Sequence, residues 1–326
     1  MNQIHRRPRR LERSWPHATR LSEWHNCLMT EFSHDVFASS HEGLRCAFGE
    51  RFWTLAHGRR LRLGPRAVLM GILNVTPDSF SDGGRFAGDP ERAEEAAHAM
   101  VEAGAEIVDV GGESTRPGAD PVSPAEEQRR VLPVIERLAA AGRCLVSVDT
   151  YRAETAALAV AAGAHIVNDV WGLQRDAGMA TLAARTGVGL CIMHTGRERE
   201  KLADVIDDQF AFLGRSLRLA SDAGISADRI VLDPGFGFAK DTTENLRLMM
   251  RCAELHALGY PLLVGTSRKR FVRAGLRDER GVDHATAATS VLLRERGAAI
   301  FRVHDVAANR DALALVDAAL AVGEAK

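Results

Sequence analysis

The chain contains, at residues 103–109, the stretch Ala103-Gly104-Ala105-Glu106-Ile107-Val108-Asp109, which reads as a helix end, a glycine, a buried strand and a polar residue. The same pattern returns as Ala162-Gly163-Ala164-His165-Ile166-Val167-Asn168. A third copy, Gly297-Ala298-Ala299-Ile300-Phe301-Arg302, ends on a cation instead. A glycine that closes a helix just before an apolar strand is typical of α/β proteins in which parallel strands alternate with helices.

Eight short apolar runs rich in β-branched residues follow this pattern, and alanine-rich amphipathic stretches separate them. The runs cover residues 68–75, 107–110, 145–148, 166–170, 189–193, 230–232, 262–264 and 300–303. Eight strand–helix units in about 250 residues predict a (β/α)₈, or TIM, barrel. The alternative is a doubly wound sheet, which needs fewer strands and usually a glycine-rich first turn. No GxGxxG follows any of the eight runs, so the barrel is the predicted fold.

The segment before the barrel has a different composition. Residues 1–20 carry six arginines against one acidic residue and show no apolar periodicity. We predict that residues 1–50 are a flexible extension, or follow from a start codon assigned upstream of Met29. An organellar transit peptide and a basic arm for an acidic partner are the alternatives. The runs at 52–55 and 61–63 predict a short hairpin, and the barrel domain is predicted to span residues 51–326.

Composition excludes several classes of protein. The formal net charge of −1 and the 6% aromatic content disfavour a nucleic-acid-binding surface. The five cysteines are scattered, with no CxxC and no histidine at zinc-ligand spacing, which favours a reduced compartment. No apolar run approaches the roughly 18 residues of a membrane span. We therefore expect a cytoplasmic protein that binds neither nucleic acid nor a membrane.

In a barrel of this kind the active site forms at the carboxyl ends of the strands. Polar residues follow all eight runs, within residues 74–86, 111–118, 147–150, 168–169, 193–194, 233–238, 265–269 and 302–305. Asp149, Asn168 and Asp233 are hydrogen-bond acceptors suited to a ring rich in N–H groups, such as a pterin or purine. Each could instead cap a helix or form a turn.

Cations and long loops complete the predicted site. Arg116, Lys269, Arg302 and His304 would form a cationic rim for a phosphorylated or carboxylated ligand. Asn74, with Asp78 or Asp82, offers hard oxygen ligands suited to magnesium held mainly by substrate phosphates. The first two loops are long and polar, as expected of lids that order around an anion.

The role of one further polar residue stays open, and two histidines are assigned no function. Asp109 either lines the ligand pocket or is a buried, hydrogen-bonded carboxylate that supports the second loop. His194, between Met193 and Thr195, is interpreted as a core histidine. His165 precedes its strand and is assigned no functional role.

Seven of these segments, in order, resemble dihydropteroate synthases. They are residues 71–84, 112–118, 147–150, 168–170, 233–238, 267–269 and 302–305, and the second reads Gly112-Glu113-Ser114-Thr115-Arg116-Pro117-Gly118. The similarity covers the chain from about Arg51 to its end. One such motif is a weak signal, but seven in order are specific.

The resemblance implies the reaction and the ligand contacts. A pterin pyrophosphate would be joined to p-aminobenzoate, with loss of pyrophosphate to a pterin cation that the arylamine attacks. The pterin would be held by Asp149, Asn168, Asp233 and Lys269. The pyrophosphate and Mg²⁺ would be bound by Asn74, Arg302 and His304, with Thr115 reaching the same ligand. The p-aminobenzoate pocket, where sulfonamides compete, would be formed by Phe80, Asp82, Arg116, Pro117, Phe238 and the segment Lys269-Arg270.

The resemblance also assigns catalytic roles and a quaternary structure. Asp82, Arg116, Asp149, Asp233 and Lys269 would be catalytic, with Asp82 and Asp233 stabilising the cation. A homodimer is expected, with an interface on the helices near the C-terminus.

Two departures from the family pattern stand out. Arg270 occupies a position where many members carry serine, and residues 195–199 are variable in the family, so no role is assigned to them. The rival functions are a pterin-binding methyltransferase domain, which would need neither the pyrophosphate residues nor two long loops, and a non-catalytic paralogue.

Overall fold

The computed structural model describes residues 47–76, 89–114 and 121–323. The predicted extension, residues 1–50, falls largely outside these ranges, and its boundary with the barrel stays a prediction. None of the helices in the described ranges has the length and apolar character needed to cross a bilayer.

The described residues form ten strands and nine α-helices. The strands are β1 Arg51–Thr54, β2 Arg60–Leu63, β3 Val68–Asn74, β4 Ile107–Gly111, β5 Leu145–Asp149, β6 Ile166–Asp169, β7 Gly189–Met193, β8 Ile230–Asp233, β9 Leu263–Val264 and β10 Ile300–Val303. The helices are α1 Pro90–Glu102, α2 Pro124–Ala141, α3 Ala153–Ala161, α4 Gly178–Thr186, α5 Val205–Asp222, α6 Thr242–Arg251, α7 Arg270–Arg273, α8 Val282–Arg294 and α9 Val306–Gly323. Short 3₁₀ turns lie at Ala56–Gly58, Ala227–Arg229, Cys252–Leu258 and Glu279–Gly281.

Strands β3–β10 form one parallel sheet in the order β8-β7-β6-β5-β4-β3-β10-β9. The ring closes between β8 and β9, where Leu232 and Leu262 form a parallel bridge and the Leu232 N–H donates to the Pro261 carbonyl at 3.0 Å. The predicted (β/α)₈ barrel is therefore confirmed, and the doubly wound alternative is wrong.

The predicted helix starts follow from their capping residues. Asp89 accepts a hydrogen bond from the Arg92 N–H at 3.0 Å, and Pro90 occupies the first turn of α1. Ser123 caps α2 in the same way, with its hydroxyl accepting from the Glu126 N–H at 3.2 Å. A capping side chain satisfies a backbone donor that the first turn leaves without a partner, so these residues fix where each helix begins.

The predicted hairpin, β1–β2, closes the amino-terminal end of the barrel. Trp53 and Leu55 are buried in one apolar cluster with inward-facing strand residues such as Met70 and Ile166. The Trp53 indole N–H donates to the Arg229 carbonyl at 2.8 Å. His165 lies in the same region, away from the carboxyl ends of the strands, and accepts from the Val146 N–H at 3.1 Å. This position, at the end of the barrel away from the strands' carboxyl ends, agrees with the absence of a predicted functional role for His165.

The two-residue period of each strand decides which side chains enter the barrel. Apolar residues fill its amino-terminal part, and the next inward positions are polar. On β4 and β5 these positions are Asp109, Ser147 and Asp149, with Asp109 paired to Ser147 across the ladder. Asn168 of β6 pairs with Asp149. The strand register therefore collects polar side chains directly below the open carboxyl end.

Candidate active site

A cavity of about 680 Å³ opens at the carboxyl ends of the strands; we call it the mouth cavity. Its lining includes seven of the residues predicted from the sequence: Asn74, Asp149, Phe238, Lys269, Arg270, Arg302 and His304. The sequence argument and the barrel geometry therefore converge on one pocket. This position is where (β/α)₈ enzymes bind their ligands.

Arg302 holds the floor of the mouth cavity together. Its Nε donates to Asp109 Oδ2 at 2.6 Å, and its Nη2 donates to Asp149 Oδ2 at 2.7 Å. The three residues come from β10, β4 and β5, so the ion pairs connect strands across the barrel interior. Burial raises the pKa of Asp149, and the positive charge of Arg302 opposes this rise.

Asp109 settles a question that the sequence left open. Its side chain is fully buried, does not line the mouth cavity, and accepts from Arg302 and from Asn168 Nδ2 at 3.1 Å. It is therefore a buried carboxylate that accepts hydrogen bonds from Arg302 and Asn168. Asp109 was also expected to support the second loop. Its hydrogen bonds instead run to Arg302 on β10 and Asn168 on β6, inside the barrel.

Asn168 and Asp233, both predicted to bind the pterin, lie buried beneath the cavity surface. Within the described part of the chain, Asn168 Oδ1, Asp109 Oδ1 and Ser147 Oγ make no hydrogen bond. A buried polar atom without a partner is costly. Asn168 Oδ1, level with Asp149, therefore favours a ligand that supplies a donor, whereas Asp109 and Ser147, which pair with each other one inward position deeper in the barrel, favour a buried water. Burial also raises the pKa of Asp233, against the opposing charge of Lys269.

The segment after β8, residues 234–239, forms the wall that carries Phe238. Gly235 has a φ of +66°, and a Cβ at this position would lie 1.9 Å from the His194 carbonyl oxygen. Its N–H donates to Asp233 Oδ1 at 2.7 Å. Only glycine allows both the left-handed backbone and the close approach to β7. The turn therefore fixes Asp233 and Phe238 relative to each other.

Lys269 approaches this wall from the other side. Its Nζ donates to the Phe236 carbonyl and lies 4.6 Å from the centre of the Phe238 ring. Burial lowers the pKa of Lys269 to about 8, while the charge of Asp233 opposes the change. The ammonium group is therefore poised beside both the buried acceptors and the aromatic wall.

A buried network supports the wall from behind. Lys240 Nζ donates to the Gly235 carbonyl and to His194 Nδ1, both at 2.9 Å, and His194 Nε2 lies 3.0 Å from Asp208 Oδ2. Burial lowers the pKa of His194 to about 3, so the ring is neutral and donates from Nε2 to Asp208. Burial likewise lowers the pKa of Lys240 to about 7. The interpretation of His194 as a core histidine is confirmed.

Asn74 and His304 lie at the carboxyl ends of β3 and β10, which are neighbouring strands of the barrel. His304 Nδ1 is 2.9 Å from the Ser267 hydroxyl, which also accepts from the His304 N–H at 3.2 Å. Asn74 ends β3 and lines the cavity. No group of three or more His, Cys, Asp or Glu suited to a metal occurs within residues 47–76, 89–114 and 121–323. Asn74 offers one oxygen donor at this part of the rim, which fits a magnesium ion held chiefly by a diphosphate.

Five predicted site residues lie outside the described residues: Phe80, Asp82, Thr115, Arg116 and Pro117. Asp78, the alternative oxygen ligand, is among residues 77–88 as well. Their predicted roles stay predictions.

Arg152 fixes the described residues on either side of the second loop. It forms an ion pair with Glu113 at 2.6 Å and donates to the Val122 carbonyl at 2.8 Å. The same guanidinium pairs with the buried carboxylate of Glu127 at 2.9 Å. The positions where the second loop leaves and rejoins the barrel are therefore set by one side chain on β5–α3.

Among the residues that line the mouth cavity and that sequence reasoning missed are two cations, Lys240 and Arg197. Lys240 follows Asp233-Pro234-Gly235-Phe236-Gly237-Phe238-Ala239 directly, and this position next to a motif was a usable signal. Arg197 had none, because it lies in the segment that was set aside as variable. Its guanidinium carbon lies 4.6 Å from the centre of the Phe238 ring.

Comparisons with known proteins agree with this geometry. Residues 70–304 match the family model of pterin-binding enzymes. The dihydropteroate synthase of Bacillus subtilis (strain 168) is 46% identical over 244 residues, covering 74% of this chain and 84% of the relative.

Solved structures are similar over the same region. The dihydropteroate synthase of Xanthomonas albilineans with 4-aminobenzoic acid has a TM-score of 0.76 and 41% identity, covering 82% of this chain and 98% of that one. The Yersinia pestis dihydropteroate synthase in complex with a sulfonamide drug has a TM-score of 0.78 and 39% identity, covering 83% and 100%. The polar barrel floor, the cationic rim and these matches together show that the chain belongs to the dihydropteroate synthase family of pterin-binding enzymes.

Proposed function

We propose that the chain condenses 6-hydroxymethyl-7,8-dihydropterin pyrophosphate with p-aminobenzoate to give 7,8-dihydropteroate and pyrophosphate, a step in folate synthesis. One observation carries the proposal within the family: Asp149 and its buried acceptor neighbours form the floor of a cavity whose rim is cationic. Acceptors below and cations above suit a ligand that has an N–H-rich ring at one end and a diphosphate at the other.

The pterin would lie against the floor. Asp149 accepts paired hydrogen bonds from the amino-pyrimidine edge, while Asn168 and Asp233 supply further acceptors. Arg302 favours the ionised form of Asp149 and holds the carboxylate in position through the 2.7 Å ion pair. These contacts orient the methylene carbon toward the arylamine, so that part of the barrier is removed by positioning.

The diphosphate would lie against the opposite rim, near Asn74, Arg302 and His304. These groups donate to the negative charge that develops as the C–O bond breaks. Asn74 would hold a magnesium ion together with the diphosphate, and the ion would neutralise charge on the leaving group. The reaction requires no protein nucleophile, because the protein acts by positioning the substrates and by stabilising the developing charge electrostatically.

The second step forms the new bond. Loss of pyrophosphate leaves a resonance-stabilised pterin cation, and the carboxylates of Asp233 and Asp82 stabilise it. The neutral amine of p-aminobenzoate attacks the methylene carbon and then releases its proton to solvent. The incoming ring would be surrounded by Phe238 and the segment Lys269-Arg270, with Phe80, Asp82, Arg116 and Pro117 from the first two loops. Sulfonamides would compete with p-aminobenzoate in this pocket.

A coupled pyrophosphate-release assay separates this function from its rivals. With the pterin pyrophosphate and magnesium present, release should depend on p-aminobenzoate. A methyltransferase domain or a non-catalytic paralogue would release none in response to the amine. Absence of p-aminobenzoate-dependent release would therefore contradict the proposal.

We further propose a cytoplasmic homodimer. Cys144, Cys191 and Cys252 are buried free thiols, which suits a reducing compartment. Helix α9 leaves Leu315 and Val322 three-quarters exposed, and an isologous contact would cover them. Sedimentation of the wild type and of Leu315→Asp tests the dimer: the wild type should sediment as a dimer and the variant as a monomer. A monomeric wild type would contradict it.

A further inference from the structure

Neighbouring strands bring Ser267 against His304 at the rim of the mouth cavity. β9 and β10 are parallel neighbours, and Ile300 pairs with Leu263 in their ladder. Ser267 lies in the turn after β9, and His304 directly follows β10. Both residues line the mouth cavity, although Ser267 is only 6% exposed. The proposed reaction uses His304 but gives this buried serine no role.

The Ser267 hydroxyl contacts His304 at two points. Its oxygen accepts from the His304 backbone N–H at 3.2 Å and lies 2.9 Å from Nδ1 of the ring. The first contact has one possible direction, because a backbone N–H can only donate. The two contacts together hold both the main chain and one ring edge of His304 against a single atom.

The direction of the second contact follows from the buried hydroxyl proton. If Nδ1 carried a proton, the Ser267 oxygen would accept twice, and its own proton would need a third partner. In the part of the chain that the structure describes, the Ser267 hydroxyl has no hydrogen-bond partner other than His304. A buried donor without an acceptor is costly, so the hydroxyl donates to Nδ1.

This hydrogen bond determines where the neutral ring keeps its proton. An imidazole nitrogen that accepts a hydrogen bond carries no proton, so the single proton of the neutral ring is on Nε2. The ring then offers an N–H donor at the nitrogen that Ser267 does not contact. With the proton on Nδ1 instead, Nε2 would present a lone pair, which repels an anion.

We infer that Ser267 is a positioning residue for departure of the leaving group: it holds the His304 ring and keeps the proton on Nε2, from which the ring donates to the diphosphate. This assignment rests on the proposed function, in which His304 is one of the diphosphate contacts. Preorganised donors stabilise the charge that develops on a leaving group because they need no reorganisation when the bond breaks. Ser267 acts through His304, so loss of its hydroxyl should weaken diphosphate binding only while the imidazole is present.

Binding of the product, magnesium pyrophosphate, provides the first test. In titration calorimetry the dissociation constant of Ser267→Ala should be about 3- to 10-fold above that of the wild type, the range of one neutral hydrogen bond. The affinity for 6-hydroxymethyl-dihydropterin should stay within about 2-fold of the wild type, because that ring would lie against the floor. An unchanged pyrophosphate affinity would contradict the assignment.

A double-mutant cycle shows whether Ser267 acts through His304 or touches the ligand itself. In a His304→Ala background, Ser267→Ala should change the pyrophosphate dissociation constant less than about 2-fold, because the ring that it positions is absent. The same loss in both backgrounds would show direct contact between Ser267 and the diphosphate, and it would overturn the assignment.

NMR of the protein labelled with ¹⁵N-histidine gives a readout that a merely structural role would not move. The spectra are recorded at about pH 8.5, two units above the ordinary pKa of an imidazole. The His304 signals, identified by their loss in His304→Ala, should show a protonated Nε2 and an Nδ1 shifted by hydrogen bonding. Ser267→Ala should remove that shift of Nδ1. A proton on Nδ1 in the wild type, or an Nδ1 signal that Ser267→Ala leaves unchanged, would also overturn the assignment.

Two further variants serve as controls. Ser290→Ala removes a buried serine hydroxyl from α8 that donates to Asn309 at 2.7 Å and lies outside the mouth cavity lining, so both readouts should stay as in the wild type. Ser267→Cys, whose thiol is a weak donor, should move both readouts in the same direction if Ser267→Ala proves unstable. A wild type that binds no pyrophosphate would contradict the proposed function itself, and this assignment with it. Wild-type binding that loss of the Ser267 hydroxyl leaves unchanged would contradict only the assignment.

Discussion

Replacing Asp149 with asparagine should separate binding from stability in this protein. Asp149 lines the mouth cavity and shares Arg302 with Asp109, which lies buried beneath it. Asparagine keeps the size of the side chain but removes the negative charge and half of the acceptor capacity. The affinity for the pterin should fall, whereas the fold should not weaken.

The size of the binding effect follows from the contact that is lost. A carboxylate that accepts paired, charge-assisted hydrogen bonds from an amino-pyrimidine contributes on the order of 2–4 kcal/mol. The dissociation constant for the pterin should therefore rise about 30- to 1000-fold.

The stability effect has the opposite sign because burial raises the pKa of Asp149 above its ordinary value of 3.8. The folded state then binds more protons than the unfolded state in the window between 3.8 and the raised pKa, so stability falls as the pH rises through it. At neutral pH the ionised carboxylate is a cost to the fold. Asp149→Asn should melt at or above the wild-type temperature and lose this contribution to the pH dependence.

Asp109→Asn is the matched control, since it touches the same arginine but not the cavity. It should lower the free energy of unfolding by about 3 kcal/mol, because Asp109 accepts from Asn168 as well as from Arg302, and an amide in its place leaves two buried donors with a weaker acceptor. Its affinity for 6-hydroxymethyl-dihydropterin, measured by titration calorimetry, should stay within about 3-fold of the wild type. Wild-type pterin affinity in Asp149→Asn, or equal losses in both variants, would refute the reasoning.

Three other substitutions test separate parts of the account. Gly235→Ala should lower the free energy of unfolding in urea titrations by more than about 3 kcal/mol, because backbone strain and a clash with the His194 carbonyl add. The control Gly224→Ala, at a φ of +81° but in open space, should cost about 1–2 kcal/mol. Equal costs would contradict the close approach of Gly235 to His194. Arg152→Met should cost about 3 kcal/mol by leaving Glu127 buried without its cation; a thermal melt like that of the wild type would show that the pair is not coupled to folding. Burial lowers the pKa of Lys240 from 10.5 to about 7, so the unfolded state binds more protons between these values and the wild-type free energy of unfolding should rise with pH across that window. In Lys240→Met this rise should be smaller. The same pH dependence of the unfolding free energy in both proteins, measured by urea titrations at pH 7–9.5, would contradict the burial effect.

The barrel could be predicted from the sequence because its signals are local. Each strand run is a short apolar segment, and capping residues such as Asp89 and Ser123 mark the helix starts. The shortest strand, β9, was predicted at residues 262–264 and forms at Leu263–Val264. Leu262 instead makes the isolated bridge that closes the ring, a contact that depends on the tertiary structure.

The candidate site could be predicted only as a set of strand ends. The order of the motifs placed Asp149, Lys269 and His304 at one opening, and the structure brings these residues into one cavity. The sequence could not show that Arg302 is shared between two carboxylates, because that arrangement depends on the register of three strands. Nor could it show that Arg197 reaches Phe238, since that contact depends on loop anchors distant from both.

The central claim is that this chain forms a bond between a pterin methylene carbon and an arylamine nitrogen. The most direct test incubates the purified protein with the pterin pyrophosphate, magnesium and ¹⁵N-amino-labelled p-aminobenzoate, followed by mass spectrometry of the products. We predict 7,8-dihydropteroate that carries the ¹⁵N label, with one pyrophosphate released for each molecule formed. Pyrophosphate release without labelled dihydropteroate, or no product at all, would contradict the claim.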